Sequence, residues 1–277
     1  MGSFLAYYNG LHNGLVTALA LLTTFFLQIL SNLANDYGDF EKGTDNNERI
    51  GPLRAMQSGA ITKPQMQKAI GVFIVLSLLS GISLIFIALQ NTSIITPLFF
   101  LSLGLVSIAA AIKYTVGKNP YGYSGMGDIS VFLFFGILGV GGTYYLHTQT
   151  LNWLILLPAS TLGMFSAGVL NLNNMRDRVP DAKVGKNTLA VKLGFIGAKY
   201  YHGLLIIGGY LATIFFLLLQ VNFNYTHWIF LITLPLFIMN LLKVHQIEEA
   251  KNFDPLLKQL ALSTTLFVIL FGIGLNL

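Results

Sequence analysis

The feature that most constrains this chain is a series of eight apolar segments, each long enough to cross a bilayer. Of the 277 residues, 54% are hydrophobic and only 10% are charged, too few to cover a soluble globule with polar surface. A bilayer core of about 30 Å needs roughly 20 apolar residues per helix. The sequence therefore predicts an all-α, polytopic membrane helix bundle with full transmembrane helices at 14–35, 65–89, 94–113, 126–147, 151–173, 196–219, 226–243 and 256–276.

Positive charge is restricted to alternate loops of this predicted bundle. The intervening loops contain no charged residue, whereas all 16 Lys and Arg residues lie in the others. Because loops rich in Lys and Arg stay on the cytoplasmic side, the pattern predicts a multi-pass plasma (inner) membrane protein with its charged loops in the cytoplasm. Topology thus explains the net charge of +5, and no nucleic-acid partner is expected. The charged loops are 40–68, 113–118, 176–199 and 243–258.

Local patterns predict several helix ends. Thr62, followed three residues later by Gln65, is typical of a capping box before the second span. Asp254 and Pro255 predict a cap with proline at the first helical position of the last span. The stretch 1–8 is about two turns of apolar helix, and we interpret it as the tail of a further spanning helix.

The first span ends in the sequence NLANDYGD (32–39), where acidic residues follow an uncharged run from 15 to 33. If the helix continues through Asp39, then Asn32, Asp36 and Asp39 share one face. Two carboxylates and an amide would then converge at the edge of the membrane.

A weak internal repeat gives this motif a partner. NLAN (32–35) recurs as NLNN (171–174), again after an apolar run and again before two acids, Asp177 and Asp181. Four spans lie between the motifs, so both emerge on the same side. Pro180 predicts that the helix carrying the second motif ends or kinks there. The simplest architecture is a single membrane domain (1–277) of two parallel four-helix pseudo-repeats, about 14–147 and 151–277, around a central cavity.

The two motifs have the chemistry of a magnesium site. The chain has no cysteine, which excludes thiolate ligands and nucleophiles. Mg²⁺ takes oxygen ligands, usually one or two carboxylates together with waters and substrate phosphates. The motif carboxylates would repel one another without a cation, so we predict bound Mg²⁺ and a diphosphate substrate. Cations of the same loops would neutralise the diphosphate, although topology alone could also place them there: Arg49, Arg54, Lys118, Arg176, Lys183 and Lys186.

These motifs resemble the two aspartate motifs of the UbiA superfamily of intramembrane aromatic prenyltransferases, over nearly the whole chain. The form NDxxDxxxGxD (35–45), followed by GPLR (51–54), is similar to the branch that acts on 1,4-dihydroxy-2-naphthoate. That branch usually has nine spans, which implies that all but the end of the first helix is absent here. Further similar segments are YGYSG (121–125), NNMRD (173–177) and GKNTLAV (185–191).

The resemblance implies Mg²⁺-dependent transfer of a polyprenyl group from polyprenyl diphosphate to 1,4-dihydroxy-2-naphthoate, with loss of CO₂, to give demethylmenaquinol. The 40–61 loop is long for a connection without obvious secondary structure, and we predict that it closes over the diphosphate and keeps water away. Tyr121, Tyr123 and Lys118 are candidates for holding the acceptor. Catalytic, metal-binding roles are implied for Asp36, Asp39, Asp177 and Asp181, with Asn32, Asn35, Asp45, Asn173 and Asn174 as further metal ligands.

Two other interpretations stay open at this point. A UbiA relative could act on another aromatic acceptor, such as 4-hydroxybenzoate. A cation-coupled transporter could also use paired carboxylates in repeated half-bundles. Transporter sites, however, typically lie near the midplane at helix breaks, whereas these carboxylates are at span ends beside long loops.

Overall fold

The structure is a computed structural model that describes residues 1–44, 50–220 and 224–277. Over these residues it is helical and contains no strand. Four short 3₁₀ segments, Tyr121–Ser124, Trp153–Ile155, Tyr225–Thr233 and Ala250–Asn252, and a π-helical segment, Phe132–Gly142, supplement the α-helices. The α-helices are Gly2–Tyr8 (α1), Gly14–Glu41 (α2), Lys63–Leu89 (α3), Ile95–Lys113 (α4), Gly127–Val131 (α5), Thr143–Thr148 (α6), Leu156–Arg176 (α7), Arg178–Lys183 (α8), Leu189–Leu218 (α9), Leu234–Gln246 (α10) and Phe253–Leu275 (α11).

Eight helical segments of the described chain are long and apolar enough to cross a membrane, which confirms the predicted number. The sixth segment is interrupted at Gly194, whose φ of +70° and ψ of 179° are not helical, so a short helical stretch from Leu189 precedes the break and the helix after it starts beside the predicted residue 196. The segments are Gly14–Glu41, Lys63–Leu89, Ile95–Lys113, Gly127–Thr148, Trp153–Arg176, Leu189–Leu218, Tyr225–Gln246 and Ala250–Leu275.

Two helix starts were predicted from local sequence patterns. The start of α3 agrees with its prediction, and the start of α11 does not. The capping box before α3 is confirmed, with the Thr62 N–H donating to Gln65 Oε1 at 2.9 Å. The predicted cap at Asp254 is wrong, because the 3₁₀ turn Ala250–Asn252 leads directly into α11, which begins at Phe253. Asp254 therefore lies inside the first helical turn, where a carboxylate still stabilises the helix N-terminus.

The described chain forms two compact units, and the larger one has an aromatic core. Phe165 is fully buried, with its ring centroid 4.7 Å from that of Phe237 and 5.1 Å from that of Phe267. Tilted and edge-to-face ring pairs of this kind add to the free energy of apolar burial. This unit comprises Met1–His12, Asp128–Val179 and Leu189–Leu277.

The smaller unit comprises Asn13–Gly127 and Pro180–Thr188, and contains α2, α3 and α4. The end of α2 lies against the residues after α4. A Cβ at Gly38 would lie 2.5 Å from Oγ1 of Thr115 and 2.7 Å from its carbonyl carbon. Thr115 Oγ1 also donates a 3.0 Å hydrogen bond to the Ala34 carbonyl. This close approach fixes the part of α2 that carries the first acidic motif. The division of the chain into the halves 14–147 and 151–277 stays a prediction.

Candidate active site

Helix α2 continues through the first acidic motif to Glu41, as the shared face of its acids requires. At a rise of 1.5 Å per residue, this helix of 28 residues is about 42 Å long, more than a bilayer core of about 30 Å. The uncharged run 15–33 alone is long enough to cross that core, so the acidic turns that follow it are not needed for the span. Asp39 is 1% exposed, Asp36 is half-buried and Asn32 is exposed.

The carboxylate of Asp39 is at the centre of a set of donors in the smaller unit. Its Oδ1 accepts a 2.8 Å hydrogen bond from the Tyr123 hydroxyl. Its Oδ2 lies 3.3 Å from Nη2 of Arg54 and 3.4 Å from Nζ of Lys186. A buried carboxylate is costly unless it is paired and hydrogen-bonded, and these contacts satisfy both needs.

Lys186 connects the two acidic motifs. Its Nζ lies 3.7 Å from Oδ1 of Asp181, in addition to its contact with Asp39. Lys186 is 8% exposed and Asp181 is 3% exposed, so water screens this arrangement weakly. One acid from each motif thus shares a single buried ammonium group.

Tyr123 has a polar environment unlike that of Tyr121. Its hydroxyl lies 2.5 Å from Oγ1 of Thr44, and its ring centroid is 5.4 Å from Nζ of Lys42 and 5.3 Å from Nζ of Lys186. Burial, and then the nearby Asp39 charge, raise the pKa of the Tyr123 hydroxyl, which therefore stays protonated as a donor. The Tyr121 hydroxyl instead donates to the Ala110 carbonyl at 2.9 Å.

A second ionic group lies in the larger unit, around the buried guanidinium of Arg176. Its Nε and Nη2 donate to the two carboxylate oxygens of Asp177 at 3.0 and 2.6 Å. Nη2 also donates to Oδ1 of Asn173 at 2.7 Å, and Nη1 contacts Oδ1 of Asp254. Fork-like pairs of this type are among the strongest ionic contacts in proteins.

The second motif lies at a helix break, as the sequence predicts. Helix α7 ends at Arg176, and Asp177 follows it with φ −91° and ψ 8°. Pro180 is the third residue of α8, within a first turn whose N–H groups need no helical partner. The break therefore falls just before the proline.

The other predicted site residues differ in how deeply they are buried, and two of them lie outside the described residues. Oδ1 of Asn35 is buried and has no hydrogen-bond partner among the described residues. Asn174 is buried, whereas Lys118 and Lys183 are exposed. Asp45 and Arg49 lie outside the described residues.

The residues of the smaller unit fit a magnesium ion that is bound together with a substrate. Within the described ranges, no three His, Cys, Asp or Glu side chains form a ready-made metal cluster. Mg²⁺ needs no such cluster, because it keeps waters and takes phosphate oxygens beside one or two carboxylates. Asp39 and Asp181 supply buried carboxylates, and Asn35 adds a buried carbonyl oxygen that has no hydrogen-bond partner in the described part of the chain.

Two contacts of these groups involve residues that sequence reasoning did not assign to the site. Thr44 approaches the Tyr123 hydroxyl from the start of the 40–61 loop, and no motif marks it. Asp254 contacts Arg176 across 78 positions of sequence. Its Asp-Pro context suggested a helix cap, so the local pattern gave no sign of this partner.

The described chain is a helical bundle of membrane-type segments whose acidic motifs pair with buried cations, an arrangement that can bind a charged group together with a metal ion. Residues 1–272 match the UbiA prenyltransferase family, and the chain belongs to that family.

Curated relatives give a closer comparison. The chain is similar to the 1,4-dihydroxy-2-naphthoate octaprenyltransferase of Haemophilus influenzae, with 46% identity over 99% of this chain and 89% of that protein. Identity to the Escherichia coli protein of the same name is 43%, over 100% of this chain and 89% of the relative. A solved structure of digeranylgeranylglyceryl phosphate synthase matches 99% of this chain and 90% of its own, with a TM-score of 0.59 at 18% identity. That similarity supports the helical membrane fold.

Proposed function

We propose that this chain transfers a polyprenyl group from polyprenyl diphosphate to 1,4-dihydroxy-2-naphthoate, with loss of CO₂, and so makes demethylmenaquinol. The observation that carries the proposal is the shared contact of Lys186 with Asp39 and Asp181, beside Arg54. Cations and carboxylates together suit a magnesium diphosphate. The names of the curated relatives support the naphthoate as acceptor.

The acidic residues are proposed to hold Mg²⁺, which when bound supplies positive charge to the leaving diphosphate. The ligands would be Asp36, Asp39, Asp177 and Asp181, with Asn32, Asn35, Asp45, Asn173 and Asn174 as further oxygen donors. Arg54 and Lys186 already lie within 3.4 Å of Asp39, and they can transfer their hydrogen bonds to diphosphate oxygens. Arg49, Lys118, Arg176 and Lys183 are proposed to add further positive charge.

The proposed reaction breaks the bond between C1 of the prenyl chain and the diphosphate oxygen, and diphosphate leaves with the electron pair. The electron-rich naphthoate ring then forms a carbon–carbon bond to C1. The ring carboxylate leaves as CO₂, and the electrons of its bond return to the ring. Tyr121 and Tyr123 are proposed to border the acceptor, with the hydroxyl of Tyr123 kept protonated.

Water must be kept from the allylic carbon, and the 40–61 loop is proposed to do this. Arg54, in the described part of the loop, contacts the buried carboxylate of Asp39 at 3.3 Å. The Ile61 N–H donates to the Ala55 carbonyl at 3.2 Å, which folds this segment back on itself. Closure over the diphosphate would lower the rate of hydrolysis relative to transfer.

We place the chain in the plasma (inner) membrane with the acidic motifs on the cytoplasmic side. The support is the restriction of Lys and Arg to alternate loops. The acids at the end of α2 follow the uncharged run 15–33, an order that suits a donor with an apolar tail in the bilayer and a charged diphosphate at its edge.

The test is to incubate the purified protein with Mg²⁺, a polyprenyl diphosphate and a panel of aromatic acids. We expect prenylated naphthoquinol, CO₂ and diphosphate in equal amounts, and no product after chelation by EDTA. Product from 4-hydroxybenzoate alone would refute the proposed acceptor. Absence of diphosphate release would refute the prenyltransferase and favour the cation-coupled transporter.

A further inference from the structure

The guanidinium of Arg176 is shared by two carboxylates from different helices of the larger unit. Asp177 follows α7 and takes Nε and Nη2, whereas Asp254, in the first turn of α11, contacts Nη1. The Arg176 side chain is 4% exposed, and that of Asp254 is 38% exposed. The Arg176 guanidinium thus pairs with both Asp177 and Asp254, and of these two acids only Asp177 belongs to an aspartate motif.

The charges of this group are unequal, and this has a consequence for Asp177. One positive charge faces two negative charges, so the group retains one excess negative charge. If Asp177 turned from Arg176 to a divalent cation, Arg176 would still be paired with Asp254. Without Asp254, the same movement would leave a buried guanidinium without a carboxylate, which is strongly unfavourable.

We propose that Asp254 is a positioning residue that retains Arg176 and thereby makes Asp177 available to a divalent cation. The inference rests on the proposed function, because it assigns Asp177 to metal binding. Asp254 itself acts only through Arg176. Loss of Asp254 then strengthens the Arg176–Asp177 pair, which competes with the metal for the same carboxylate.

A purely structural role for Asp254 leads to a different result. Asp254 could simply connect α11 to α7, or stabilise the N-terminus of α11. In either case, its replacement would lower thermal stability without changing the affinity of the folded protein for metal. The affinity of the folded protein for metal therefore separates positioning from structure.

The experiment measures Mn²⁺ binding to the full chain saturated with a non-hydrolysable polyprenyl diphosphate analogue, whose phosphate oxygens complete the metal site, with free Mn²⁺ followed by electron paramagnetic resonance and corrected for binding to the analogue alone. Asp254→Asn should raise the dissociation constant about tenfold, the size expected for a hydrogen bond to a charged group. Asp254→Glu should restore much of the affinity. Glu249→Gln is a matched control with the same charge change nearby, because Glu249 pairs with Lys251 at 2.9 Å and both side chains are exposed. The control should bind Mn²⁺ as the wild type does.

A double variant tests whether the effect passes through Arg176. In an Arg176→Gln background, Asp254→Asn should cause no further loss of Mn²⁺ affinity. A further loss of similar size in that background would overturn the proposal. The double variant removes both charges of the pair and leaves no unpaired buried guanidinium, so the proposal stays falsifiable even if Asp254→Asn alone does not fold, because a loss in that background would still overturn it.

The outcomes separate this inference from the proposed function. A wild type that binds Mn²⁺ normally, together with an Asp254→Asn variant of unchanged affinity, overturns the positioning role alone. A wild type that binds no Mn²⁺, and whose prenyl transfer is insensitive to EDTA, overturns both.

Discussion

The Tyr123 hydroxyl donates a 2.8 Å hydrogen bond to Oδ1 of Asp39, and so connects the turn Tyr121–Ser124 to the last turns of α2. The same carboxylate uses its other oxygen for Arg54 and Lys186. The orientation of Asp39 is thus fixed on both sides before any substrate arrives. Such preorganisation is how a site avoids reorganisation during the reaction.

Removal of the Tyr123 hydroxyl should weaken this orientation without unfolding the protein. We expect Tyr123→Phe to lower kcat/KM about tenfold, since one hydrogen bond to a charged group is lost while the ring contacts with both lysines remain. Steady-state rates and thermal unfolding in detergent provide the measurement. Tyr37→Phe is the control, because the Tyr37 hydroxyl accepts an exposed 2.9 Å hydrogen bond from Gln67 Nε2 and has no proposed role in the site. Equal effects of the two variants would contradict an orienting role for Tyr123.

The pH dependence of activity gives a second prediction for Tyr123. Its raised pKa favours the neutral hydroxyl, so the hydrogen bond to Asp39 should persist above the ordinary tyrosine pKa of about 10. We therefore expect the ratio of wild-type to Tyr123→Phe activity to stay constant from about pH 7 to about pH 10. Rates measured across that range test this. A ratio that falls clearly as the pH approaches about 10 would mean that Tyr123 ionises in the ordinary range.

Asp39 should be far more sensitive to charge removal than its neighbour Glu41. Asp39→Asn leaves Arg54 and Lys186 without one carboxylate partner, so we expect transfer to fall at least about 100-fold and the free energy of unfolding to fall by on the order of 3 kcal/mol. Glu41→Gln is the matched control, because Glu41 forms an exposed ion pair with Lys63 at 2.9 Å. Prenyl transfer and denaturant unfolding should change little in the control. Near wild-type turnover in Asp39→Asn would remove this residue from the metal site.

Arg54 allows a test of the closing loop. Without its contact to Asp39, the 40–61 loop should exclude water less well, so Arg54→Ala should raise the yield of prenyl alcohol relative to coupled product by several-fold, roughly 1 kcal/mol of altered partition. Chromatography of both products from one reaction measures the ratio. Lys63→Ala removes a cation after the same loop and should leave the ratio unchanged. An unchanged ratio in Arg54→Ala as well would exclude the water-excluding role.

Replacement of two glycines by alanine should have opposite effects on stability. Gly38→Ala places a Cβ against Thr115, which must move apart from α2 and displace Asp39; we expect a loss of stability of about 1–3 kcal/mol and a large loss of activity. Gly71, on α3, has no atom near the added Cβ, so Gly71→Ala should be neutral or stabilise the helix by up to about 1 kcal/mol. Thermal unfolding and transfer rates measure both effects. Destabilisation of similar size in the two variants would refute the close approach at Gly38.

Features set by local sequence were predictable. Apolar length gave the eight spans, and the Thr62 and Gln65 spacing gave the capping box. The helix break near Pro180 follows from the missing N–H of proline. These features depend on residues that are close together in the chain.

Partners were not predictable, because they depend on packing between distant segments. Among the cations considered together, Lys186 contacts two motif acids, whereas Lys118 is exposed. Arg176 lies beside an acidic motif and was therefore expected to bind the diphosphate. In the structure, its guanidinium bonds to Asp177 and Asp254. The Asp-Pro pattern predicted a helix cap at Asp254, and it gave no sign of the contact with Arg176, which is 78 positions away in the sequence.

The close contact of Gly38 with Thr115 also sets the angular phase of α2. Each residue of an α-helix adds a rotation of roughly 100°, so one residue inserted between Leu30 and Asn35 would turn the preceding membrane-embedded part of α2 by that angle if the acids stayed in place. If the embedded part stayed in place instead, the acids would turn away from Arg54 and Lys186. The number of residues in this span is therefore constrained as tightly as their apolar character.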